Sequence, residues 1–228
     1  MRTLRWSFPD RIVERDANKG SYPVAPYDSI LHKKWILKHI MYNTIDMNNK
    51  SNVLVIHPDD RTTDMLKAVY EGKGYDVITD MSISDDEVVE AIKSHDTIVM
   101  LGHGTPSGLL APDPHGGYLG YVIHDGHADL LKTKKTYSMW CNSDAYFAYH
   151  GMKGFHSGMI ISEEVEAWIY GIRGYSSEDI YQSLMPLMYA MRDTLEMEDL
   201  EQMRRIILER YNADDPITQF NRKNIVIL

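Results

Sequence analysis

Cysteine is almost absent from this chain, which has one, Cys141, among 228 residues. A single cysteine excludes an intramolecular disulfide, and it leaves no second thiolate for a structural zinc site built on cysteines. Any chemical role for Cys141 is therefore that of a reactive thiol.

Long apolar runs are absent as well. The longest runs, residues 97–101 and 224–228, are far shorter than the roughly 18 residues that a membrane-spanning helix needs. The N-terminus also lacks the apolar core that a secretory signal peptide requires. We therefore expect no membrane partner and a cytoplasmic location.

Positive charge is scarce relative to negative charge. The chain has 24 Lys and Arg against 33 Asp and Glu, a net charge of −9, which repels phosphate backbones and argues against nucleic acid as a partner. No repeat or low-complexity linker divides the sequence. We predict one domain over residues 1–228, with an N-terminal arm and helix (about 1–50) packed on it.

Short apolar runs alternate with helical patterns from Asn52 onward, as in a parallel sheet covered on both faces. Residues 104–120 are predicted to be irregular, and Ser84 and Glu87 have the spacing of a capping box. The predicted strands are 53–56, 75–79, 97–101, 136–140, 158–161 and 224–228, and the predicted helices are 65–70, 88–92, 163–170, 180–195 and 200–211. The predicted fold class is α/β, a three-layer α/β/α sandwich with a mostly parallel sheet.

Chemistry in such sheets is found just beyond the carboxyl ends of the strands. His103 follows the strand predicted at 97–101, and Cys141 follows the strand predicted at 136–140. If these strands are neighbours, an imidazole and a thiol meet, and a base beside a thiol is what a cysteine nucleophile needs because only the thiolate attacks. Gly104 leaves space for a substrate carbonyl, and the backbone N–H groups of Gly104 and Cys141 are predicted to form an oxyanion hole.

Gly102-His103-Gly104 after one strand and Cys141-Asn142-Ser143 after the next resemble the motifs of the caspase-like cysteine peptidases (clan CD), the group of caspases, legumain, gingipain and clostripain. The resemblance spans roughly residues 52–171. It implies a caspase-like fold and a cysteine peptidase without a cofactor. It also implies that His103 is the general acid and base, and that Cys141 is the nucleophile that forms a thioester with a peptide or protein substrate.

Four further residues are predicted to bind the substrate: Asp59, Asp60, Met139 and Asp144. Several members of the family carry an acidic residue or Gln two positions before the cysteine, where this chain has Met139. The three aspartates are expected to supply an acidic pocket instead, and the substrate specificity stays open.

A competing hypothesis starts from His57-Pro58-Asp59-Asp60, which resembles the opening motif of the zinc-dependent N-acetylglucosaminyl deacetylases. That resemblance implies zinc as the cofactor and His57 and Asp60 as ligands, and His124 and His127 have a spacing that would complete the site. A purely structural interpretation also exists, in which the aspartates cap the following helix.

Two more hypotheses stay open. The same fold with an idle His-Cys dyad would serve as a binding or regulatory module, with Cys141 as a small buried apolar residue. The apolar run at residues 224–228 would allow a homodimer if it forms an edge strand.

Overall fold

A computed structural model describes residues 51–80, 82–113 and 115–227 of the chain. The arm and helix predicted for about residues 1–50 lie outside the described residues. The strands are β1 (Val53–Ile56), β2 (Asp76–Ile78), β3 (Thr97–Leu101), β4 (Gly104–Thr105), β5 (Gly108–Pro112), β6 (Tyr118–Ile123), β7 (Lys135–Met139), β8 (Phe155–Ser157) and β9 (Ile225–Ile227). The helices are α1 (Asp85–Lys93), α2 (Ala128–Leu131), α3 (Ser143–His150), α4 (Glu164–Ile169), α5 (Ser177–Thr194), α6 (Leu200–Arg210) and α7 (Pro216–Lys223), with 3₁₀ helices at Arg61–Val69 and Asp125–His127.

The central sheet has six strands in the order β2-β1-β3-β7-β8-β9. Adjacent strands from β2 to β8 are parallel, and β9 pairs antiparallel with β8 at one edge. Successive side chains of a strand point to opposite faces, so Val55 packs with the core that α5 and α6 cover, whereas Leu54 packs with the core that α1 and α3 cover. The predicted three-layer α/β/α sandwich is therefore confirmed.

Local signals in the sequence set several helix starts. Ser84 and Glu87 form the predicted capping box at the start of α1, with both reciprocal hydrogen bonds present. Asp60 caps the helix Arg61–Val69, as the structural interpretation of this segment predicts. That helix is wound as a 3₁₀ helix, and the N–H of Tyr70 bonds the Lys67 carbonyl three residues before it.

The structure corrects two predicted segments. Residues 104–120, predicted to be irregular, contain β4 and β5 and the start of β6, which form a three-stranded antiparallel sheet. The strand predicted at 158–161 lies earlier, at Phe155–Ser157. At the next residue, Gly158, the carbonyl accepts from the Asn142 N–H and the N–H donates to the Asn224 carbonyl.

The short helices α3 and α7 were not predicted, whereas the last predicted strand is present as β9. β9 lies at an edge of the sheet, as the predicted homodimer requires. The homodimer itself stays a prediction. Within the described ranges, every helix is too short or too polar to cross a lipid bilayer.

Candidate functional site

His103 and Cys141 reach the same edge of the sheet because β3 and β7 are adjacent and parallel. Leu101 pairs with Met139 at the ends of these strands, and the Gly102 N–H donates to the Met139 carbonyl at 3.1 Å. Both His103 and Cys141 line one small cavity with a volume of about 30 Å³. The remaining walls of this cavity, which we call the thiol cavity, are mostly apolar and include Met65, Leu66, Met139, Ile160, Leu184 and Met188.

The turn after β7 presents the thiol. Asn142 has φ 66° and ψ 29°, and it is the one non-glycine residue with positive φ in the described part of the chain. Asn tolerates this left-handed conformation better than most residues. The Asn142 N–H is bonded to the Gly158 carbonyl at 3.1 Å, and α3 starts at the next residue. Cys141 is thus held at a sharp strand-to-helix turn.

The thiol of Cys141 lies against oxygen atoms. Its Sγ is 3.7 Å from the Ile160 carbonyl oxygen and 3.9 Å from Oε1 of Glu166. Burial, followed by the negative charges of Glu166 and Glu163, raises the pKa of the Cys141 thiol to about 11. The thiol is therefore protonated at neutral pH, and a preformed thiolate is not its resting state.

The carboxylate of Glu166 is fixed by the start of α4. Its Oε2 accepts the Ser162 N–H at 2.7 Å, the Glu163 N–H at 3.1 Å and the Ser162 hydroxyl at 3.0 Å. These bonds use one oxygen of the carboxylate and leave the other directed at Cys141. The position of the Glu166 carboxylate beside the thiol is therefore fixed by hydrogen bonds of this turn.

His103 is held at the cavity by contacts from three other segments of the chain. Its Nε2 lies 2.7 Å from the Thr62 hydroxyl oxygen and 3.8 Å from Oε1 of Glu163. Its ring meets the Tyr118 ring edge-on, with centroids 6.2 Å apart. The imidazole side chain is 16% exposed, so it can still contact a bound molecule.

Gly104 has a packing reason to be glycine. A Cβ there would lie 2.1 Å from Cδ1 of Trp140, the residue before Cys141. The Trp140 indole N–H donates to the Thr105 carbonyl at 3.1 Å, which fixes the ring in this position. Gly104 and the turn that carries the thiol are therefore in direct contact. The oxyanion hole formed by the N–H groups of Gly104 and Cys141 stays a prediction.

The four predicted substrate-binding residues lie in three places. Met139 is buried in the wall of the thiol cavity. Asp59 and Asp60 line a wider neighbouring groove, which we call the acidic groove because its other walls include Asp113, Glu163 and Glu166. Asp144, on the first turn of α3, belongs to the walls of neither.

His57 is engaged in bonds inside the protein. It is 1% exposed, with Nδ1 at 2.9 Å from the Tyr70 hydroxyl and Nε2 at 3.1 Å from the Thr63 hydroxyl. Burial lowers its pKa to about 4. Both ring nitrogens are occupied, so His57 has no free atom for a metal ion.

His124 and His127 gather around a different residue, Asp85, and the described residues show no common cluster of these two with His57 and Asp60. The Nε2 atoms of His124 and His127 lie 2.8 and 3.2 Å from Oδ1 of Asp85, the second at an angle outside hydrogen-bond geometry. The four residues of the zinc hypothesis thus do not form one ligand set.

The protons of the two imidazoles can be assigned from their other contacts. Nδ1 of His124 accepts the Gly126 N–H, and Nδ1 of His127 accepts the His124 N–H. Because an N–H group only donates, both hydrogens lie on Nε2, where they face Asp85. A metal ion at this cluster would have to displace both protons and break both backbone bonds.

Sequence reasoning missed Thr62, Glu163 and Glu166. Glu163 and Glu166 have the spacing of a helix start, and that signal would have found the cap of α4. It would not have shown that the two carboxylates face His103 and Cys141, since this depends on how α4 packs against the end of β7.

Comparison with protein-family models gives no match, and comparison with curated proteins gives none either.

Proposed function

We propose that this protein is a cysteine peptidase in which Cys141 attacks the carbonyl of a peptide bond and His103 transfers the protons. The observation that carries the proposal is that His103 and Cys141 line one cavity at the carboxyl ends of two adjacent parallel strands. The turn at Asn142 adds support, since strained turns are concentrated at functional sites.

The state of the thiol determines how the reaction starts. Because Cys141 is protonated at rest, the base must remove its proton while the sulfur attacks. The S–H proton passes to His103 as the bond from sulfur to the carbonyl carbon forms. The imidazolium then gives that proton to the amine as the C–N bond breaks, which leaves a thioester that water hydrolyses.

Charge and polarity around the site favour a particular peptide. The thiol cavity is mostly apolar, whereas the acidic groove beside it has five carboxylates, Asp59, Asp60, Asp113, Glu163 and Glu166, and one cation, Arg61. An extended peptide with an apolar residue against the mouth of the cavity and a basic residue in the groove would complement both.

The test is covalent capture of the thiol by a peptidyl acyloxymethyl ketone, read by intact mass. We expect one adduct on the wild-type protein, none on Cys141→Ser, and capture slowed by at least about 10²-fold on His103→Ala. His115→Ala, at an exposed histidine of the loop between β5 and β6, is the matched control and should react like the wild type.

The opposite result is equally informative. If the folded wild-type protein forms no adduct with a panel of apolar and basic peptidyl ketones, the peptidase proposal is wrong. The idle binding or regulatory module then becomes the better account of the same fold.

A further inference from the structure

We infer that Asp60 and Thr62 are positioning residues that fix the tautomer of His103, so that Nδ1 is the nitrogen that exchanges a proton with Cys141. The tautomer itself follows from hydrogen bonds of the free protein. Its catalytic consequence rests on the proposed peptidase function.

The hydroxyl of Thr62 contacts both Asp60 and His103. Oδ1 of Asp60 accepts the Thr62 N–H at 2.9 Å and lies 2.7 Å from Oγ1 of Thr62. An ionised carboxylate can only accept hydrogen bonds. The single hydroxyl proton of Thr62 is therefore donated to Asp60.

The imidazole of His103 is bonded through Nε2. Oγ1 of Thr62 lies 2.7 Å from Nε2 of His103. Since the Thr62 proton is already used, its oxygen can only accept, and Nε2 must carry the hydrogen. In the neutral ring Nδ1 then holds the lone pair, and among the described residues no hydrogen bond is made to it.

The chain Asp60–Thr62–His103 is well supported by its surroundings. Asp60 is the N-cap of the helix Arg61–Val69, and its carbonyl accepts both the N–H and the hydroxyl of Thr63, at 3.0 and 2.9 Å. The Thr63 hydroxyl in turn contacts buried His57. The helix start is thereby fixed, and it holds the Thr62 hydroxyl in place at the mouth of the thiol cavity.

The arrangement also suits the charged form of the ring. When His103 takes the Cys141 proton on Nδ1, Nε2 keeps its hydrogen bond to Thr62, and Oε1 of Glu163 lies 3.8 Å from Nε2. The imidazolium is thus stabilised without any rearrangement of the ring. This is the role of a third residue that orients a catalytic base.

The experiment compares Thr62→Val, which removes the hydroxyl at nearly constant shape, with Thr62→Ser, which keeps it. The ¹⁵N resonances of the His103 ring, assigned by their loss in His103→Gln, report which nitrogen carries the hydrogen. We expect the Nε2–H tautomer in the wild type and in Thr62→Ser, and a mixture of tautomers in Thr62→Val. Thr133→Val, which removes an exposed hydroxyl bonded to the Leu130 carbonyl, should leave these resonances unchanged.

Capture by the peptidyl ketone supplies the second measurement. We expect about tenfold slower capture for Thr62→Val and near wild-type capture for Thr62→Ser. An unchanged tautomer in folded Thr62→Val overturns the inference. If the tautomer responds but the wild-type protein is never captured, the proposed function fails while the positioning of His103 stands.

Discussion

Sγ of Cys141 lies 3.9 Å from Oε1 of Glu166, so the thiol has a carboxylate as its side-chain hydrogen-bond partner in the described part of the chain. An imidazole beside a thiol favours the thiolate, whereas a carboxylate beside a thiol favours the protonated form. The sequence pattern suggested that a histidine near the cysteine would come with a reactive thiolate. The structure has the histidine near the cysteine, but burial and the Glu166 contact keep the thiol protonated. In the free protein Cys141 should therefore react slowly with simple alkylating agents.

The first prediction is that Glu166→Gln lowers the pKa of the Cys141 thiol. The amide keeps an oxygen for the bonds from Ser162 but removes the negative charge that opposes ionisation. Alkylation by iodoacetamide, followed against pH by intact mass, should show a midpoint lower than that of the wild-type protein. At pH 8 the variant should react several-fold faster.

Glu164→Gln is the matched control for this prediction. Glu164 is on the same helix, but its carboxylate bonds Ser177 instead of facing the thiol. Its alkylation profile should match that of the wild type. Identical alkylation midpoints for Glu166→Gln and the wild type would show that the charge of Glu166 does not affect the pKa of the Cys141 thiol.

The second prediction is that Gly104→Ala destabilises the protein by about 1–3 kcal/mol, the usual cost of overpacking. The new methyl group would lie 2.1 Å from the Trp140 ring, so the indole must move. Chemical denaturation followed by tryptophan fluorescence measures the loss.

Trp140→Ala provides the control for the Gly104 contact. It removes Cγ and Cδ1, the two ring atoms that the new methyl group would meet at 2.4 and 2.1 Å, so the two substitutions combined should cost less than the sum of their separate effects. Strict additivity would mean that Gly104 and Trp140 do not contact each other as described.

The sequence was sufficient for the class of the sheet and insufficient for the site. Short strand-like runs located β1, β3 and β7, and their alternation with helices indicated a parallel sheet, whereas the order of the strands was not predicted. The contacts of Cys141 and His103 depend on long-range packing: Glu166, beside Cys141, comes from a helix 25 residues further along the chain, and Thr62, beside His103, comes from a segment 41 residues before it. No local pattern in the sequence contains such information. The hairpins at 104–120 were missed because their glycines and prolines resemble those of an irregular loop.

The third prediction concerns acid stability. His57 and His156 are buried, and burial lowers the pKa of each to about 4 from an ordinary value of 6.5. Between these two pH values the unfolded chain binds more protons than the folded protein does, so the free energy of unfolding falls as the pH falls through this range. Each histidine should lower the free energy of unfolding by about 2 kcal/mol between pH 7.5 and pH 5.

His156→Phe isolates one of these two contributions. His156 packs on Phe147 with ring centroids 4.9 Å apart, and neither ring nitrogen has a hydrogen-bond partner in the described structure, so an aromatic ring without nitrogens suits the site. The unfolding free energy of the His156→Phe variant should depend less steeply on pH than that of the wild type. His115→Gln, at an exposed histidine, should keep the wild-type slope. Equal slopes of unfolding free energy against pH in the wild type and His156→Phe would contradict the assignment of His156 as a buried, neutral histidine.

The fourth prediction is that the cluster of Asp85, His124 and His127 binds zinc weakly. Backbone N–H groups hold both Nδ1 atoms as acceptors, so the nitrogens that face Asp85 are protonated. Protein purified without a chelator and measured by plasma mass spectrometry should contain less than about a tenth of an equivalent of zinc, because binding would break both backbone bonds. A full equivalent that disappears in His127→Gln would reverse this assignment.

The fifth prediction uses the left-handed turn at Asn142 to separate the position of the thiol from its chemistry. Asn142→Ala should cost about 1 kcal/mol of stability, because alanine pays a steric penalty at φ 66°. Asn142→Gly should be close to the wild type, since glycine adopts this conformation freely. The Asn142 side chain makes no capping hydrogen bond to α3, so both variants lose nothing at the helix start.

If the turn positions the nucleophile, capture of Cys141 by the peptidyl ketone should be slower in Asn142→Ala and should recover in Asn142→Gly. Equal capture rates in the two folded variants would show that the conformation of this turn does not control the approach of the thiol to its substrate.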